Sequence, residues 1–141
     1  MSLAAVALST LLDRGLLDFY AYNGGEAYRT YAQAAAAYPS AAMAYWGEAL
    51  ALGPNVNEPL TRANFEAARS PILRALASSS VTPRDRDLIA ALTLRYAGTW
   101  DRHEADENAY RAALAALVAK YPDDDTVAML YAEALADGPQ D

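Results

Sequence analysis

Apolar residues recur at spacings of three and four along almost the whole chain, which is the period of an α-helix. Leu8, Leu12, Leu16 and Phe19 belong to the first of these stripes. No segment shows the sustained period-two alternation of β-branched residues that is typical of a strand. The pattern therefore predicts an all-α protein.

Polar residues at fixed offsets predict where several helices begin. Asn23, Thr82 and Asp101 each precede an acidic residue by three positions, the capping-box arrangement that satisfies free N–H groups at a helix start. Ser40 and Asp124, or its neighbour Asp125, are predicted to begin two further helices, since each follows a proline closely.

The boundaries divide the chain into seven predicted helices. Pro71 falls inside the fourth, where a proline removes a backbone hydrogen bond and is expected to kink or split the helix. The predicted helices cover residues 3–22, 24–37, 40–52, 60–78, 83–97, 102–120 and 124–136.

An internal repeat organises these helices into pairs. Short connections make successive helices antiparallel neighbours, and the first helices of the pairs begin about 37 to 43 residues apart, a spacing typical of helical arrays. Residues 48–50, Glu-Ala-Leu, recur as residues 133–135. We predict one domain, residues 1–141, with helix pairs at 3–37, 40–78 and 83–120 and an unpaired terminal helix at 124–136.

The first helix pair resembles a tetratricopeptide repeat. With Pro39 as the closing proline, the apolar, small, small, aromatic and small positions of that pattern fall on Leu11, Gly15, Ala27, Tyr31 and Ala34. The segments "AMAYWGEALALGPNVN", "TPRDRDLIAALTLRYA" and "YPDDDTVAMLYAEAL" look similar to blocks of an uncharacterised bacterial tetratricopeptide-like family. The resemblance implies antiparallel helix hairpins stacked as a short right-handed α-solenoid, and it implies no catalytic residues.

Charge and composition exclude several classes of function. The net charge of −7 and the pI near 4.6 oppose the basic surface that nucleic acids require. The absence of cysteine removes disulfides, thiolate metal sites and cysteine nucleophiles. No apolar run approaches the roughly 18 to 20 residues that cross a bilayer. We therefore expect no membrane partner and a cytoplasmic location, or an exported protein if a signal peptide has been removed.

Gly47 lies inside a predicted helix, where glycine costs roughly 0.8 to 1 kcal/mol relative to alanine. We interpret it as a point where a neighbouring backbone approaches closely, with Tyr45 and Trp46 filling the space between adjacent repeats. Gly53 and Pro54 are then predicted to end the helix.

Candidate chemistry is sparse in this sequence. His103 is the only histidine, and its acidic neighbours are more simply explained as charges that favour the positive end of a helix. No catalytic group, metal site or cofactor is predicted. The loop after Pro54 offers Asn55 and Asn57 to a polar ligand, although asparagine also favours turns and helix caps.

Tyrosine is the residue type that most favours a binding role, since its ring pairs a large contact area with a polar tip. Tyr20 and Tyr22, near the end of the first helix, are the candidates for lining a concave groove, whereas core packing or ordinary surface is the simpler explanation for the tyrosines as a group. The candidate binding residues are Tyr20, Tyr22, Tyr45, Trp46, Asn55 and Asn57.

Three functions remain open on this basis. The first is a non-catalytic scaffold that binds a protein or peptide segment on a concave helical face. The second is a small-molecule-binding or hydrolytic protein that uses carboxylates in an inter-helix pocket, with Glu48 as a candidate for a raised pKa. The third is a self-associating structural unit, a homodimer formed through Met129 and Tyr131 of the terminal helix, whose polar surface is expected to include Glu133.

Overall fold

The computed structural model describes residues 2–137, and the regular structure in that range is helical. Apart from one isolated bridge between Asn55 and Glu58, residues 2–137 contain no β-structure. The prediction of an all-α protein with seven helices is confirmed for this range. The helices are α1 (Leu3–Tyr20), α2 (Gly24–Ala37), α3 (Ala42–Ala51), α4 (Arg62–Ala77), α5 (Pro83–Arg95), α6 (His103–Lys120) and α7 (Asp125–Ala136), with a 3-10 turn at Trp100–Arg102.

Three of the predicted helix starts are capped as expected. The side chains of Asn23, Thr82 and Asp124 each accept a hydrogen bond from the backbone N–H three residues further on, at 3.1 to 3.3 Å. These bonds satisfy donors that have no partner within the helix. The prediction of starts at these positions is therefore confirmed.

Two other predicted starts are wrong. Ser40 does not cap α3, which begins two residues later after Ala41 without a side-chain cap. Asp101 lies in the 3-10 turn, and α6 follows it without a side-chain cap. The physical reason at the second position is packing, because the Trp100 ring lies edge-on against Phe65 at 5.6 Å and holds this turn against the core.

Pro71 does not split α4, which runs as one helix from Arg62 to Ala77. Its apolar ring is buried, and burial of apolar surface stabilises the helix in place. The carbonyl that loses its N–H partner belongs to Ala67, an exposed residue, so water can replace the missing hydrogen bond.

The helices pack in the order of the chain. α1 packs on α2, α3 on α4, and α5 on α6, as the predicted pairs require. α2 contacts α3, α4 contacts α5, and α6 contacts α7, which joins the pairs into one array. The first helices of successive pairs also touch, since α1 contacts α3 and α3 contacts α5. One continuous apolar core therefore runs through the array.

The ring of Tyr31, on α2, lies between α1 and α3 and is only 1% exposed. A Cβ atom built on Gly15 would lie 2.8 Å from this ring, and a Cβ built on Gly47 would overlap it. Gly47 is thus needed for close packing, as predicted, but the group that approaches it is a side-chain ring and not a backbone. Trp46 is buried in the core, and Tyr45 is half-buried.

The terminal helix α7 differs from its prediction in which side chains face solvent. Met129 is exposed as expected, whereas Tyr131 is half-buried and packs against the core. Glu133 does not supply the expected polar surface, because its carboxylate oxygens are buried. Residues 138 and 139, which repeat the earlier Gly-Pro pair, lie outside the described residues.

We predict that Gly47→Ala destabilises the protein by about 1 to 3 kcal/mol, because the added methyl group overlaps the Tyr31 ring. This cost outweighs the roughly 1 kcal/mol that alanine gains as a helix former. Gly25→Ala is the matched control, since a Cβ there would have its nearest neighbour at 3.9 Å. Chemical denaturation measures both variants, and equal stabilities would contradict the packing role of Gly47.

Candidate functional site

The predicted binding residues lie at separate places in the structure. Trp46 belongs to the buried core and is not accessible to a ligand. Tyr45 lines a shallow crevice between α2 and α4, and its hydroxyl donates a hydrogen bond to the carbonyl of Pro39 at 2.8 Å. The two adjacent aromatic residues therefore do not form one site.

Tyr20 and Tyr22 lie at the end of α1 but have different surroundings. Tyr20 is half-buried, its hydroxyl donates to the carbonyl of Thr126 at 3.5 Å, and burial raises its pKa to about 12. It thus lies against the first turn of α7. Tyr22 is exposed and adopts a φ of 59°, a left-handed conformation that is uncommon for residues other than glycine. Its conformation turns the chain from α1 into α2.

Asn55 orders the loop between α3 and α4. Its side-chain oxygen accepts hydrogen bonds from the backbone N–H groups of Asn57 and Glu58, at 2.8 and 2.9 Å. Asn57 is exposed, and the residue that caps α4 is Thr61, which accepts from the N–H of Asn64 at 3.1 Å. The side-chain oxygen of Asn55 therefore has a structural role that accounts for the residue.

A groove of about 450 Å³ lies where α1, the start of α3 and the segment before α5 meet. We call it the first-helix groove, because it is formed on the first helices of three successive pairs. Most of its lining is apolar, and the described residues that line it include one carboxylate and no Lys or Arg. The lining residues are Ala4, Ala5, Leu8, Leu12, Tyr38, Ser40, Ala41, Ala42, Met43, Ser80, Val81, Thr82 and Asp85.

The first turns of α1 also carry exposed apolar residues that do not line the groove. Residues 3–7 are all exposed, and Leu3 is 90% exposed. Leu8 and Leu12 lie further along the same helix, where they pack partly against core residues. One helix therefore contributes both to the core and to the wall of the groove.

Glu48 lies in the crevice between α2 and α4, which is open to solvent and has a volume of about 280 Å³. Burial raises the pKa of this half-buried carboxyl, and the guanidinium of Arg74 partly opposes that rise. Arg74 also lies over the Tyr45 ring at 5.4 Å. The raised pKa predicted for Glu48 is thus found, but in an open crevice and not in a closed pocket.

A second cavity, of about 350 Å³, lies between the α3–α4 loop and α6. We call it the polar cavity, since carboxylates, amides, an imidazole and a guanidinium line much of it. Its lining residues are Pro54, Asn55, Pro59, Leu60, His103, Glu104, Glu107, Asn108, Arg111 and Asp137.

A buried ion pair lies at the base of the polar cavity. Arg95 of α5 is 0% exposed, and its guanidinium donates to both carboxylate oxygens of Glu107 at 2.7 and 2.8 Å. It also lies over the Tyr110 ring at 4.2 Å. Burial acts to lower the pKa of Arg95, but the Glu107 carboxylate outweighs it and holds the pKa well above its usual value. The arginine therefore stays charged inside the core.

Gly53 makes room for this arginine. A Cβ atom built on Gly53 would lie 2.5 Å from one terminal nitrogen of Arg95 and 3.2 Å from the Tyr96 hydroxyl. The Tyr96 hydroxyl in turn donates to the carbonyl of Ala49 at 2.8 Å. Gly53 follows the end of α3, and it also allows α5 to pack closely against α3. A larger residue here would collide with the side chain of Arg95.

Glu133 and Asp137 form a carboxyl pair one helical turn apart at the end of α7. Their side-chain oxygens are buried and accept no hydrogen bond from an N–H or hydroxyl donor among the described residues. Burial, followed by the bond to Asp137, raises the pKa of Glu133 to about 9. Burial also raises the pKa of Asp137, so the two carboxyl groups hold a proton between them at neutral pH.

These buried charges were not predicted from the sequence. Arg95 and Glu107 are twelve residues apart on two different helices, and no local pattern marks them as partners. The one available signal was the repeat, since Glu133 is the repeat equivalent of Glu48. Burial raises the pKa of both residues.

Within residues 2–137, the structure contains neither a cluster of metal-binding side chains nor a membrane-spanning helix. In that range no three His, Asp or Glu side chains are grouped so as to hold a metal ion. His103 stacks on the Trp100 ring at 3.9 Å, and its Nδ1 lies 2.7 Å from the carbonyl oxygen of the same residue. None of the described helices combines the length and the apolar character that a membrane crossing requires.

Comparison with known proteins yields no match to a family model, to a curated protein or to a solved structure. The resemblance to tetratricopeptide repeats therefore stays a prediction that rests on the residues which carry it.

We predict that Glu133→Gln makes the protein more stable than wild type at alkaline pH. The folded wild type keeps the Glu133 proton up to a pKa of about 9, whereas the unfolded chain loses it near the ordinary value of 4.5. The contribution of Glu133 to stability is therefore full below pH 4.5 and declines as the pH rises to 9. Glutamine can still donate to Asp137 and cannot ionise.

We expect the gain near pH 9 to be about 1 to 3 kcal/mol, the cost of an unsatisfied buried polar group. Denaturation of both proteins from pH 5 to 9 measures it, with exposed Glu66→Gln as the control. Parallel pH profiles for wild type and Glu133→Gln would contradict the assignment.

We predict that Arg95→Met destabilises the fold by about 3 to 5 kcal/mol, because it leaves the Glu107 carboxylate buried without its partner. The double variant Arg95→Met/Glu107→Leu should recover much of this loss, since both charges are then replaced by apolar groups. Equilibrium unfolding of the two single variants and the double variant gives the coupling, and strictly additive effects would show that the pair does not interact.

Proposed function

We propose that this protein is a non-catalytic module that binds a segment of another protein in the first-helix groove. The observation that supports this most directly is the groove itself, where α1, α3 and the approach to α5 expose apolar side chains together. Contiguous exposed apolar surface on a soluble protein commonly marks an interaction site.

The energy available to such binding comes from removing apolar side chains from water. Complete burial of a side chain such as leucine or valine contributes about 1.5 to 3 kcal/mol. Leu8 and Leu12 line the groove and are only partly buried, so a bound segment would gain by covering their exposed parts. This free-energy gain is partly offset by the conformational entropy that the segment loses when it binds.

The charge around the groove indicates what the partner should carry. Asp85 is the one charged residue in the lining, and Ser40, Ser80 and Thr82 add hydroxyl groups. The whole chain has a net charge of −7. We therefore propose an apolar segment flanked by Lys or Arg, since opposite charge favours encounter and correct orientation.

The expected tetratricopeptide-like architecture supports the same proposal. Arrays of helix pairs form extended surfaces that bind protein segments, and in this protein the first helices of successive pairs touch one another. This support is an analogy at the level of the fold. We propose a cytoplasmic location together with this function, and the acidic charge supports a protein partner over a nucleic acid.

A displayed library of random peptides tests the groove directly. We predict that peptides selected on the protein combine apolar residues with Lys or Arg, and that Ala5→Arg weakens their binding at least tenfold. Ala5 is exposed and lines the groove, so arginine there adds both bulk and repulsion. Isothermal titration calorimetry with the selected peptides measures the change.

The matched control is Ala7→Arg, since Ala7 is exposed on the same helix but does not line the groove. Its peptide affinity should stay within a factor of two of wild type. Failure to select any peptide, or equal effects of the two arginine substitutions, would reject the first-helix groove as the binding site.

A second candidate function is the binding of a small polar molecule in the polar cavity. The observation in its favour is the cavity volume of about 350 Å³, which lies within the roughly 300 to 1,000 Å³ of ordinary ligand pockets. Carboxylates of Glu104 and Asp137 and the amide of Asn108 line it, so an amine with hydroxyl groups would suit its chemistry.

Ligand-observed NMR with small amines and polyols tests this second candidate. Asn108→Trp should block the cavity, whereas Ala112→Trp, one turn further along the exposed side of α6, should not. Binding that is lost in the first variant and kept in the second would support the cavity as a site. Binding that neither substitution affects would reject it.

A further inference from the structure

Asp137 connects the polar cavity with the buried carboxyl pair of α7. It is the C-terminal cap residue of this helix, and it lines the cavity. Its carboxylate oxygens are nevertheless buried, because they form a hydrogen bond with the carboxyl group of Glu133, one helical turn earlier. Asp137 therefore lies at the cavity wall with the atoms that could bind a ligand engaged by its neighbour.

The hydrogen bond between these two carboxyl groups contains a proton, since a carboxylate can only accept. If the proton leaves, two adjacent carboxylates repel each other. Asp137 borders a cavity of about 350 Å³ into which its side chain can turn, whereas Glu133 is not among the described residues that line it. Loss of the proton therefore frees the Asp137 carboxylate for the cavity.

Charged and titratable groups from three other helices face the carboxyl pair. Arg95 lowers the pKa of both carboxyls and Glu107 raises it, and Arg111 lowers the pKa of Asp137. Burial outweighs the two arginines, so both pKa values stay raised and the proton stays in place. The facing groups are Tyr20 on α1, Arg95 and Tyr96 on α5, and Glu107, Tyr110 and Arg111 on α6.

An ammonium ion is the kind of ligand that can replace this proton. It brings one positive charge, as the proton does, so the total charge of the cluster is the same before and after the exchange. Its N–H groups form strong, charge-assisted hydrogen bonds with a carboxylate. The lining also favours a cation, since Glu104, Glu107 and Asp137 outnumber the guanidinium of Arg111.

We propose that the polar cavity binds a primary ammonium group in exchange for the proton shared by Glu133 and Asp137. In this exchange the hydrogen bond between the two carboxyl groups breaks, the proton passes to solvent, and Asp137 turns to accept an N–H bond from the ligand. Glu133 is a positioning residue, because it acts on the ligand through Asp137. The exchange rests on the second candidate function, in which the polar cavity is a ligand site.

The exchange makes binding depend on pH in a defined direction. Below the Glu133 pKa of about 9 the free protein holds the proton, and each bound ligand releases up to one proton. The affinity therefore rises with pH, by at most about tenfold per pH unit. A cation site whose carboxylate is already ionised would show no such rise.

NMR titration with ethanolamine tests the exchange, since this probe carries a hydroxyl group and a primary amine that stays cationic from pH 6 to 8. We expect its affinity for wild type to rise at least about fivefold over this range. In Glu133→Gln the affinity should change less than about twofold, because no proton is shared with Asp137. Ethylene glycol, the neutral analogue, should bind no better at pH 8 than at pH 6.

Three further variants assign the effect to the carboxyl pair. Exposed Glu66→Gln is the matched control and should keep the wild-type dependence on pH. His103→Gln, whatever its affinity, should keep the rise, which excludes the imidazole in the lining as its source. Asp137→Asn should weaken binding at pH 8 at least tenfold, since it removes the carboxylate that accepts from the ammonium group.

The ionisation of Glu133 gives a direct second readout. Addition of ethanolamine at a fixed pH near 7.5 should shift the carbon-13 signal of the Glu133 carboxyl group towards that of a carboxylate, and ethylene glycol should not. An unchanged signal at saturating ethanolamine would overturn the proposal.

The titration distinguishes failure of the exchange from failure of the cavity as a site. Binding that Asn108→Trp blocks, with equal affinity at pH 6 and pH 8, would overturn the exchange and leave the cavity as a ligand site. A rise with pH that Glu133→Gln retains would do the same. No ethanolamine binding at any pH, or binding that Asn108→Trp leaves unchanged, would reject both.

Discussion

The ring of Tyr31 between Gly15 and Gly47 is the contact on which the first half of the array depends. The ring belongs to α2, and its two edges face α1 and α3 where a Cβ atom would lie too close. One buried ring thus holds three helices together, and it fits between them because the two facing residues are glycines. Because α1 and α3 are positioned side by side in this way, their exposed edges form the walls of the first-helix groove.

The second half of the array depends on buried charge in place of a buried ring. Arg95 and Glu107 join α5 to α6, and Glu133 with Asp137 brings the end of α7 to the same cluster. Buried ion pairs contribute little net stability, because desolvation offsets much of their attraction. Their physical effect is on the specificity of packing. Each buried charge must meet its partner, which limits the ways in which these helices can pack.

The two halves leave different surfaces open to solvent. Next to the Tyr31 contact lies an apolar groove, whereas next to the charged cluster lies a polar cavity. The inward position of Glu133 also decides which side of α7 faces outward, and that side carries Met129 and Leu135. Partner binding is therefore proposed for the apolar groove, which shares no lining residue with the polar cavity.

The sequence by itself determined the helices and the small residues at their crossings. Caps such as Asn23, Thr82 and Asp124 act within three residues, and the Gly15 and Tyr31 pattern has a fixed spacing, so local information was sufficient. It did not determine the site, because the six candidate binding residues are divided among the core, a crevice, the end of α1 and a loop. Only the tertiary structure decided that Arg95, Glu107 and Glu133 are buried together. The burial of a side chain depends on which helices pack against it, and residues far away in the chain determine that packing.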